Sequence, residues 1–390
     1  MVSGIGYSIL FVLITDSIWW LLIRDHFRKD WTKVLFWIIS LLFILGLTVC
    51  YFSMPYISAN NSHRVVSTII GTLIALYIPK VIYILIRLIG MPITLIGPKA
   101  ANFVKGLALF VTALIFGSAV YGFTIGRHNY KINQVEVPIR NLSRDLQGVK
   151  IIHLSDLHLG SAPEGYKGIQ ILVDEINKQD ADLVLFTGDL VNNSAQEVLP
   201  FIETLKGIKA RYGVYSVVGN HDYGMYHRWG SEAEKAANFR KLIEYEEQAG
   251  ITPLLNENVK IKIGRDTLLL AGVENWGKPP FPRYAKLNKA LEGRGNFTTI
   301  LMSHDPSHWQ AQVIFQDIPL TLSGHTHAMQ MGIQIGSWKW SPSKYIYPEY
   351  DGLYNYNDCY LNVSRGQGFL GMPGRIGLRP VIDVITLINR

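Results

Sequence analysis

Residues 151–158 read IIHLSDLH, and this stretch decides the fold of the C-terminal part of the chain. An apolar run gives way directly to Asp156 and His158, which is typical of a buried strand that ends at a binding site. The same pattern recurs at 183–189 (LVLFTGD), 217–222 (VVGNHD), 301–305 (LMSHD) and 322–327 (LSGHTH). We therefore expect five strand ends to deliver carboxylate, amide and imidazole groups to one place.

Short β-rich runs alternate with helical stretches between residues 149 and 249, and strand-like runs dominate afterwards. Alternation favours parallel strands with helices packed outside. We therefore predict an α/β fold in which two packed sheets are flanked by helices. The predicted strands are 134–139, 149–154, 183–187, 214–218, 260–263, 267–273, 298–302, 320–322, 360–363 and 381–387, and the predicted helices are 166–178, 197–209 and 232–249.

The polar groups at the strand ends are oxygen and imidazole ligands without a thiolate, a set that suits Mn²⁺, Fe or Zn²⁺. They are too many for one tetrahedral ion, and they fit two metals about 3.5–4 Å apart. The candidate ligands are Asp156, His158, Asp189, Asn220, His304, His325 and His327.

Two of these clusters place ligands two residues apart, in Asp156-x-His158 and His325-x-His327. In an extended segment this spacing puts both side chains on the same face, so each pair can point into one site. Glycines let the backbone turn tightly beside the ions at three positions: Gly188, Gly219 and Gly324.

The five clusters, in this order, resemble the calcineurin-like metallophosphoesterases, whose signature is D-x-H, G-D-x-x-D, G-N-H-D/E, a lone H and G-H-x-H. The resemblance covers about residues 147–390, and the tail at 364–380 looks like the membrane-associated branch of that family. It implies a two-sheet sandwich flanked by helices. It also implies hydrolysis of a phosphoester by a hydroxide that bridges two divalent ions.

The resemblance implies a role for each motif residue, with Asp189 bridging the two metals. One metal would be held by Asp156, His158 and His327, and the other by Asn220, His304 and His325. His221 would donate a proton to the leaving oxygen, and Asp222 would orient its ring. The second motif departs from the family pattern because it ends in Asn192 instead of Asp. This change puts in doubt a hydrogen bond that supports a ligand, and leaves the bridge untouched.

The N-terminal third has a different character. The whole chain is 48% hydrophobic and only 17% charged, with a net charge of +7. Residues 1–126 carry nine Lys or Arg and three Asp or Glu, a net charge of +6, whereas residues 127–390 carry 28 and 27, a net charge of +1. A nucleic-acid binder needs a basic face on its folded domain. We therefore expect no nucleic acid as a structural partner.

Four apolar runs fill the first third, at 7–23, 34–53, 65–89 and about 106–125. A bilayer core of about 30 Å needs about 20 helical residues, so each run is long enough to span it. Asp16 interrupts the first run and no basic residue precedes it, which favours a retained helix over a cleaved signal peptide. We predict a multi-pass membrane protein, and buried helices of a soluble domain are the alternative.

The loop charges give an orientation. Residues 24–33 carry four basic residues, residues 54–64 carry one, and the third loop holds Lys99 and Lys105. The positive-inside rule then puts loops one and three in the cytoplasm and the C-terminal domain outside. Basic residues after the fourth run oppose this orientation: Arg127, Lys131, Arg140 and Arg144.

Asp16 and Lys80 lie near the middle of predicted spans, where an isolated charge costs at least about 2.5 kcal/mol. Such residues usually pair, and we favour a buried ion pair that fixes the register of the helices. A proton or substrate relay is the other interpretation.

The chain therefore divides into a four-helix transmembrane region (1–126), a linker with the first strand (127–146) and a metallophosphoesterase domain (147–390). We expect a membrane-anchored phosphohydrolase that acts on a phospholipid or lipid-linked phosphate. The alternatives are a phosphodiesterase for a soluble or nucleotide substrate, and a transporter or receptor with a regulatory metal-binding domain. The run Trp338-Lys339-Trp340 could contact lipid headgroups, or it could be ordinary loop packing.

Overall fold

The computed structural model describes residues 2–24, 29–53, 59–162, 166–279 and 281–390. Residues 25–28 and 54–58, which belong to two of the predicted loops, lie outside the described residues. The chain forms two compact units, Met1–Phe123 and Thr124–Arg390.

The first unit is helical. Its helices are α1 (Val2–Ile23), α2 (Asp30–Ser53), α3 (Ala59–Ile89) and the short α4 (Met91–Thr94), and α5 (Pro98–Thr124) runs across the unit boundary. Four of the described helices are long and apolar enough to cross a membrane. Helix α5 begins at Pro98, several residues before the predicted start, because proline suits the first helical turn. Lys99 and Lys105 therefore belong to a helix and not to the predicted loop.

The buried Asp16 carboxylate joins three helices of this unit. Lys80 Nζ lies 2.6 Å from Asp16 Oδ1. The other carboxylate oxygen accepts hydrogen bonds from Ser40 Oγ at 2.7 Å and Tyr77 Oη at 3.0 Å. A buried ion pair needs such additional hydrogen bonds to offset its desolvation. The pair favoured from the sequence is therefore present, and it holds α1, α2 and α3 in one register.

The second unit contains two six-stranded sheets. The first has the order β1-β14-β2-β3-β4-β5, and the second has the order β12-β13-β9-β8-β7-β6. The strands are β1 (Lys131–Ile139), β2 (Lys150–Leu154), β3 (Leu183–Phe186), β4 (Val214–Ser216), β5 (Thr252–Pro253), β6 (Glu257–Ile263), β7 (Asp266–Gly272), β8 (Thr298–Met302), β9 (Leu320–Ser323), β10 (Ile333–Ile335), β11 (Trp338–Trp340), β12 (Gly352–Tyr356), β13 (Cys359–Val363) and β14 (Val381–Asn389). β10 and β11 form a separate hairpin.

Both sheets are mainly parallel. β2, β3, β4 and β5 pair in parallel, as do β7, β8, β9 and β13. Parallel neighbours place their carboxyl ends at the same edge of a sheet. Polar residues that follow these strands are therefore brought together.

Alternate residues of each strand enter different cores, as the period of two in a strand requires. Ile151 and Leu183 of the first sheet share a core with Leu270 and Ile300 of the second, so the sheets pack face to face. Ile152 and Val184 face α6 (Lys167–Asn177) and α8 (Glu232–Gln248) on the opposite side. The outer face of the second sheet packs against α9 (Leu287–Ala290) and α10 (Ser307–Ala311). These layers confirm the predicted two-sheet sandwich flanked by helices.

The predicted helix 197–209 is broken. The structure has 3₁₀ turns at Ala195–Glu197 and Leu199–Phe201, followed by the one-turn α7 (Ile202–Leu205). Pro200 lacks an N–H group and cannot continue a helix that has already begun, which limits this stretch to short turns.

Glu246 on α8 gives the domain a pH-dependent stability. Burial, assisted by the negative charge of Asp222, raises the pKa of Glu246 from 4.5 to about 8, although it accepts a hydrogen bond from Ser216 Oγ. The folded protein holds this proton more tightly than the unfolded chain does. The resulting stability is therefore complete below about pH 4.5 and is lost as the pH rises towards 8.

The unfolding free energy of the unsubstituted protein should fall as the pH rises through this range. In Glu246→Gln we expect the slope of that fall to be smaller by up to about 1.4 kcal/mol per pH unit. Thermal unfolding of the detergent-solubilised protein between pH 4.5 and 8.5 measures the slope. Glu247→Gln, at the exposed neighbouring position, is the matched control. Equal slopes for Glu246→Gln and the unsubstituted protein would contradict the expectation.

Candidate metal centre

The predicted ligands follow strands of both sheets. Asp156 and His158 come after β2, Asp189 after β3 and Asn220 after β4, while His304 comes after β8 and both His325 and His327 come after β9. All seven are buried or nearly so. The two sheets thus present their carboxyl edges to a common site, as the sequence predicted.

The first group consists of Asp156, His158, Asp189 and His327, whose ligand atoms lie within 4.8 Å of one another. The Nε2 atoms of His158 and His327 are 3.0 Å apart. His327 Nε2 lies 3.2 Å from Asp156 Oδ1, and His158 Nε2 lies 3.7 Å from Asp189 Oδ2. Two carboxylates and two imidazoles therefore converge on one point.

The second group consists of Asp189, His304 and His325. His304 Nε2 lies 3.2 Å from Asp189 Oδ2 and 3.3 Å from His325 Nδ1. Asn220 donates a hydrogen bond from Nδ2 to Tyr226 Oη, and its buried Oδ1 has no hydrogen-bond partner among the described residues. Asp189 belongs to both groups.

Left-handed backbone directs these side chains. Asp156 and His158 have φ of 54° and 46°, Asp189 has 56°, and His325 and His327 have 70° and 49°. Positive φ is uncommon outside glycine and is often found at functional sites. The two i,i+2 pairs therefore converge through tight left-handed turns, which corrects the extended segments assumed from the sequence.

Glycine permits the close approach of the third cluster. A Cβ atom at Gly219 would collide with Asp189 Oδ1 and His304 Nε2. Any larger residue at this position would push the two groups apart.

Hydrogen bonds to the remote ring nitrogens orient the imidazoles. His158 Nδ1 donates to Asn192 Oδ1 at 3.0 Å, and His304 Nδ1 donates to the carbonyl of Thr187 at 2.7 Å. Tyr347 Oη lies 2.8 Å from His325 Nε2. These partners leave Nε2 of His158, Nε2 of His304 and Nδ1 of His325 facing the centre, the arrangement that metal-ligating histidines need.

The electrostatics of the site call for positive charge. Burial raises the pKa of Asp189, but His304 and the other imidazoles outweigh it and hold the pKa well below the usual range. Burial alone would lower the pKa of His304, yet Asp189 raises it to about 10. Without a metal, a proton on His304 therefore compensates the buried carboxylate.

The donor set fits divalent cations. The Nε2 atoms of His158 and His327, which face each other at 3.0 Å, and a buried Asn220 oxygen without a donor among the described residues are costly unless a cation lies among them. Burial lowers the pKa of His158 well below its usual range and keeps its ring neutral, as a metal ligand must be. The cluster therefore suits metal binding.

His221 and Asp222 lie beside the two groups. The backbone N–H of His221 donates to Asp189 Oδ1, and its ring Nδ1 donates to the carbonyl of Asn192 at 2.8 Å. The Asp222 carboxylate accepts from the N–H groups of Gly219, Asp189, Leu190 and Val191. We therefore correct the role predicted for Asp222. It joins the loops after β3 and β4, because its side chain faces backbone donors, and the Asn192 carbonyl orients the ring of His221.

Asn192 stands at the position where the second motif departs from the family pattern, and it supports a proposed ligand. Its side chain accepts from His158 and its Nδ2 donates to Ser161 Oγ, so the doubtful hydrogen bond is present. Glu197 accepts from the backbone N–H groups of residues 192–194 and completes a capping box with Ser194. The Ser-x-x-Glu spacing is visible in the sequence and could have located this support.

Arg375 and Gln367 were not predicted as supports. Arg375 is buried and donates to the carbonyls of His327, Arg365, Gly366 and Gly368. Gln367 Oε1 accepts from the Ser155 N–H. These bonds fasten the tail after β13 to both ligand loops, and the sequence carries no local signal for them.

We expect Asn192→Ala to weaken metal binding about 10–100-fold, because the ring of His158 loses the acceptor that orients it. Asn192→Asp, which keeps an acceptor oxygen, is the matched control and should retain most of the affinity. Titration of the metal-stripped protein measures both. An unchanged affinity in Asn192→Ala would show that the hydrogen bond does not support binding.

Two family models match the chain. Residues 149–329 match the calcineurin-like phosphoesterases, and residues 3–127 match the domain described as "Probable Calcineurin-like phosphoesterase, transmembrane domain". The first match covers the strands that carry the candidate ligands up to His327. The second covers the helical unit.

Curated relatives agree with these matches. A Danio rerio transmembrane protein with metallophosphoesterase domain is 32% identical over 72% of this chain and 62% of its own length. An uncharacterized metallophosphoesterase of Helicobacter pylori is 30% identical over 74% of this chain and 71% of that protein. One from Bacillus subtilis is 30% identical over 73% of this chain and 96% of that protein.

The site is a candidate metal centre, and the matches place the chain in a class of metallophosphoesterases that carry a transmembrane region. The chain belongs to the calcineurin-like phosphoesterase family, and its N-terminal helices match the transmembrane domain found in that family. It spans about 62% of the length of the Danio rerio and Bos taurus relatives.

Proposed function

We propose that the protein is a membrane-anchored phosphohydrolase that uses two divalent ions. The observation that carries this proposal is the sharing of Asp189 by two convergent ligand groups. A carboxylate common to two groups suits a bridge between neighbouring ions.

One ion would be held by Asp156, His158 and His327, the other by Asn220, His304 and His325, and both by Asp189. Oxygen and imidazole ligands without thiolate suit Mn²⁺, Fe or Zn²⁺. When bound, such ions supply Lewis acidity and a nucleophile at neutral pH. The protein contributes fixed ring orientations through Asn192, Thr187 and Tyr347.

His221 is the proposed proton donor. Because Nδ1 donates to the Asn192 carbonyl, Nε2 is the nitrogen that can hold a proton for the leaving oxygen. Burial lowers the pKa of His221, and the negative charge of Asp189 opposes that shift. Tyr226, whose ring lies 4.4 Å from that of His221, shields one side of the imidazole.

The proposed substrate is the phosphoester of a phospholipid or a lipid-linked phosphate. Four helices able to span a membrane keep the chain at the bilayer, where such esters are concentrated. The four basic residues at 24–33, between the first two candidate spans, favour a phosphoesterase domain outside the cytoplasm.

Purification in detergent, metal analysis and a hydrolysis screen with added Mn²⁺ test the proposal. We expect about two metal ions per chain and turnover of phospholipid or lipid-linked esters. Turnover of nucleotide esters alone would favour the soluble-substrate alternative. Bound metal without hydrolysis of any ester would favour a regulatory domain attached to a transporter or receptor.

A further inference from the structure

The hairpin of β10 and β11 has two chemically different faces. Its antiparallel register pairs Ile333 with Trp340, Gln334 with Lys339, and Ile335 with Trp338. Directly paired residues lie on the same side of a hairpin. One face therefore carries two isoleucines and two tryptophans, and the other carries Gln334 and Lys339.

The polar face is turned towards the protein. Lys339 Nζ donates to the carboxylate of Asp351 at 2.8 Å and to its carbonyl at 2.7 Å. Gln334 Oε1 accepts from the buried Arg365 at 3.4 Å. These bonds satisfy charged groups beneath the hairpin and fix which of its faces is covered.

The apolar face is turned outward as a consequence. Ile333, Ile335 and Trp338 are 50%, 70% and 56% exposed. This is the reverse of the usual antiparallel arrangement, in which the apolar side is covered and the polar side is solvated.

Neighbouring segments enlarge this surface. Ser341 Oγ donates to the carbonyl of Ala328 and ties the strand end to the turn before the hairpin. Both tied segments add exposed apolar side chains. We define the apolar patch as Met329, Ile333, Ile335, Trp338, Tyr345 and Ile346. Exposed apolar side chains gathered on linked segments mark a contact with a partner or a membrane.

We propose that the apolar patch inserts into the interfacial layer of the bilayer to which the chain is anchored. Tryptophan and tyrosine favour that layer, and isoleucine favours the acyl boundary just below it. Lys344 in the same segment is exposed, and Lys278, also exposed, lies 5.8 Å above the ring of Tyr347. Such cations suit anionic headgroups. The four candidate spans bring the chain to this partner without a separate binding event.

The patch is linked to the metal centre through one short segment. His327 precedes Ile333 by six residues, and the N–H of Gly332 donates to the carbonyl of Ile376. Arg375, next to Ile376, donates to the His327 carbonyl. Membrane contact by the hairpin does not rest on the proposed hydrolytic function. The use of the hairpin to present lipid phosphates to the metal centre does rest on the proposed hydrolytic function.

Depth-dependent fluorescence quenching of the full-length protein in vesicles tests the proposal. Cys50→Ala and Cys359→Ala give a cysteine-free background. Ile335→Cys then carries a fluorophore in the patch, and Phe315→Cys carries it at a similarly exposed position (73%) elsewhere on the domain. The vesicles contain phosphatidylcholine, phosphatidylglycerol and lipids with a nitroxide near the glycerol.

We expect strong quenching at position 335 and little at position 315, because an interfacial segment lies about 5–10 Å into the headgroup and acyl boundary. The quenching should persist when the protein-containing vesicles are fused with vesicles that carry the same lipids and no protein, which lowers the number of protein copies per membrane area. A fluorophore on Tyr345→Cys, a second exposed patch position, should be quenched as strongly as one at position 335. When Ile335→Asp and Trp338→Asp are added to the Tyr345→Cys protein, the quenching of the fluorophore at position 345 should fall.

Equal weak quenching at positions 335, 345 and 315 would overturn the proposal. Energy transfer between labels on different copies, lost on dilution, would also overturn it and assign the patch to a second copy of the chain. Metal content of each labelled protein checks that the domain remains folded. Because the readout is quenching, these outcomes are separate from any failure of hydrolysis.

Discussion

Asp189→Asn is expected to abolish phosphoester hydrolysis and to lower the metal content of the purified protein. Asp189 is the residue that both ligand groups share, so one substitution weakens both. Asparagine keeps an oxygen that can accept from the His221 N–H, and it removes the charge that holds His304 protonated in the bare site. Removing a single preorganised electrostatic group costs about 10²–10³-fold in kcat, and a bridging ligand should cost at least that much.

Metal analysis and initial rates measure this expectation in detergent. Asp174→Asn, which neutralises an exposed carboxylate on α6, is the control for loss of charge alone. Thermal unfolding of the metal-free proteins separates a chemical from a structural effect. Near-normal activity in Asp189→Asn would refute the shared-ligand proposal, and an unchanged cellular phenotype with lost hydrolysis would favour a transport function.

His221→Ala is expected to lower kcat by about 10²–10⁴-fold with metal content unchanged. The loss should be large for an alkyl phosphoester, whose leaving oxygen needs a proton. It should be much smaller for a nitrophenyl ester, whose leaving group departs unprotonated. This difference follows from the proposed role, because Nδ1 is held by the Asn192 carbonyl and Nε2 is the nitrogen proposed to serve the leaving oxygen.

The comparison of the two esters in His221→Ala is therefore the decisive measurement. His227→Ala, in the same loop but with its ring against Trp229, is the matched histidine control. Equal losses for both esters would show that His221 does not act as the proton donor. Loss of metal would instead show that the imidazole ring, whose centroid lies 4.8 Å from that of His158, helps to position a ligand.

The candidate ligands could be predicted because each directly follows an apolar strand. Asp156, Asp189 and His304 are local features of the chain, and parallel pairing brings strand ends together whatever the details of packing. The direction of approach could not be predicted. Left-handed φ at His158 and His327 depends on the loops packed around them, since an isolated chain would avoid that conformation.

Supporting contacts were predicted less well for the same reason. Asp222 was expected to orient the ring of His221, its neighbour in sequence, but its carboxylate accepts N–H groups from residues more than 30 positions away. Asn192 looked like a defect in a motif, yet its amide oxygen serves the ring of His158 as a carboxylate would. Hydrogen bonds form between groups within about 3 Å, and sequence distance says little about that separation.

Hydrophobic periodicity and length were enough for the four candidate membrane helices and for most of the strands, and the residues that follow those strands gave the candidate ligands. These properties are local, because burial of an apolar run depends mainly on its own residues. Which face of the β10–β11 hairpin is covered, which carbonyl holds His221 and where the patch of exposed tryptophan and isoleucine lies were decided by tertiary packing. Each depends on partners such as Asp351, Arg365 and Asn192, which only the folded chain brings within hydrogen-bonding distance.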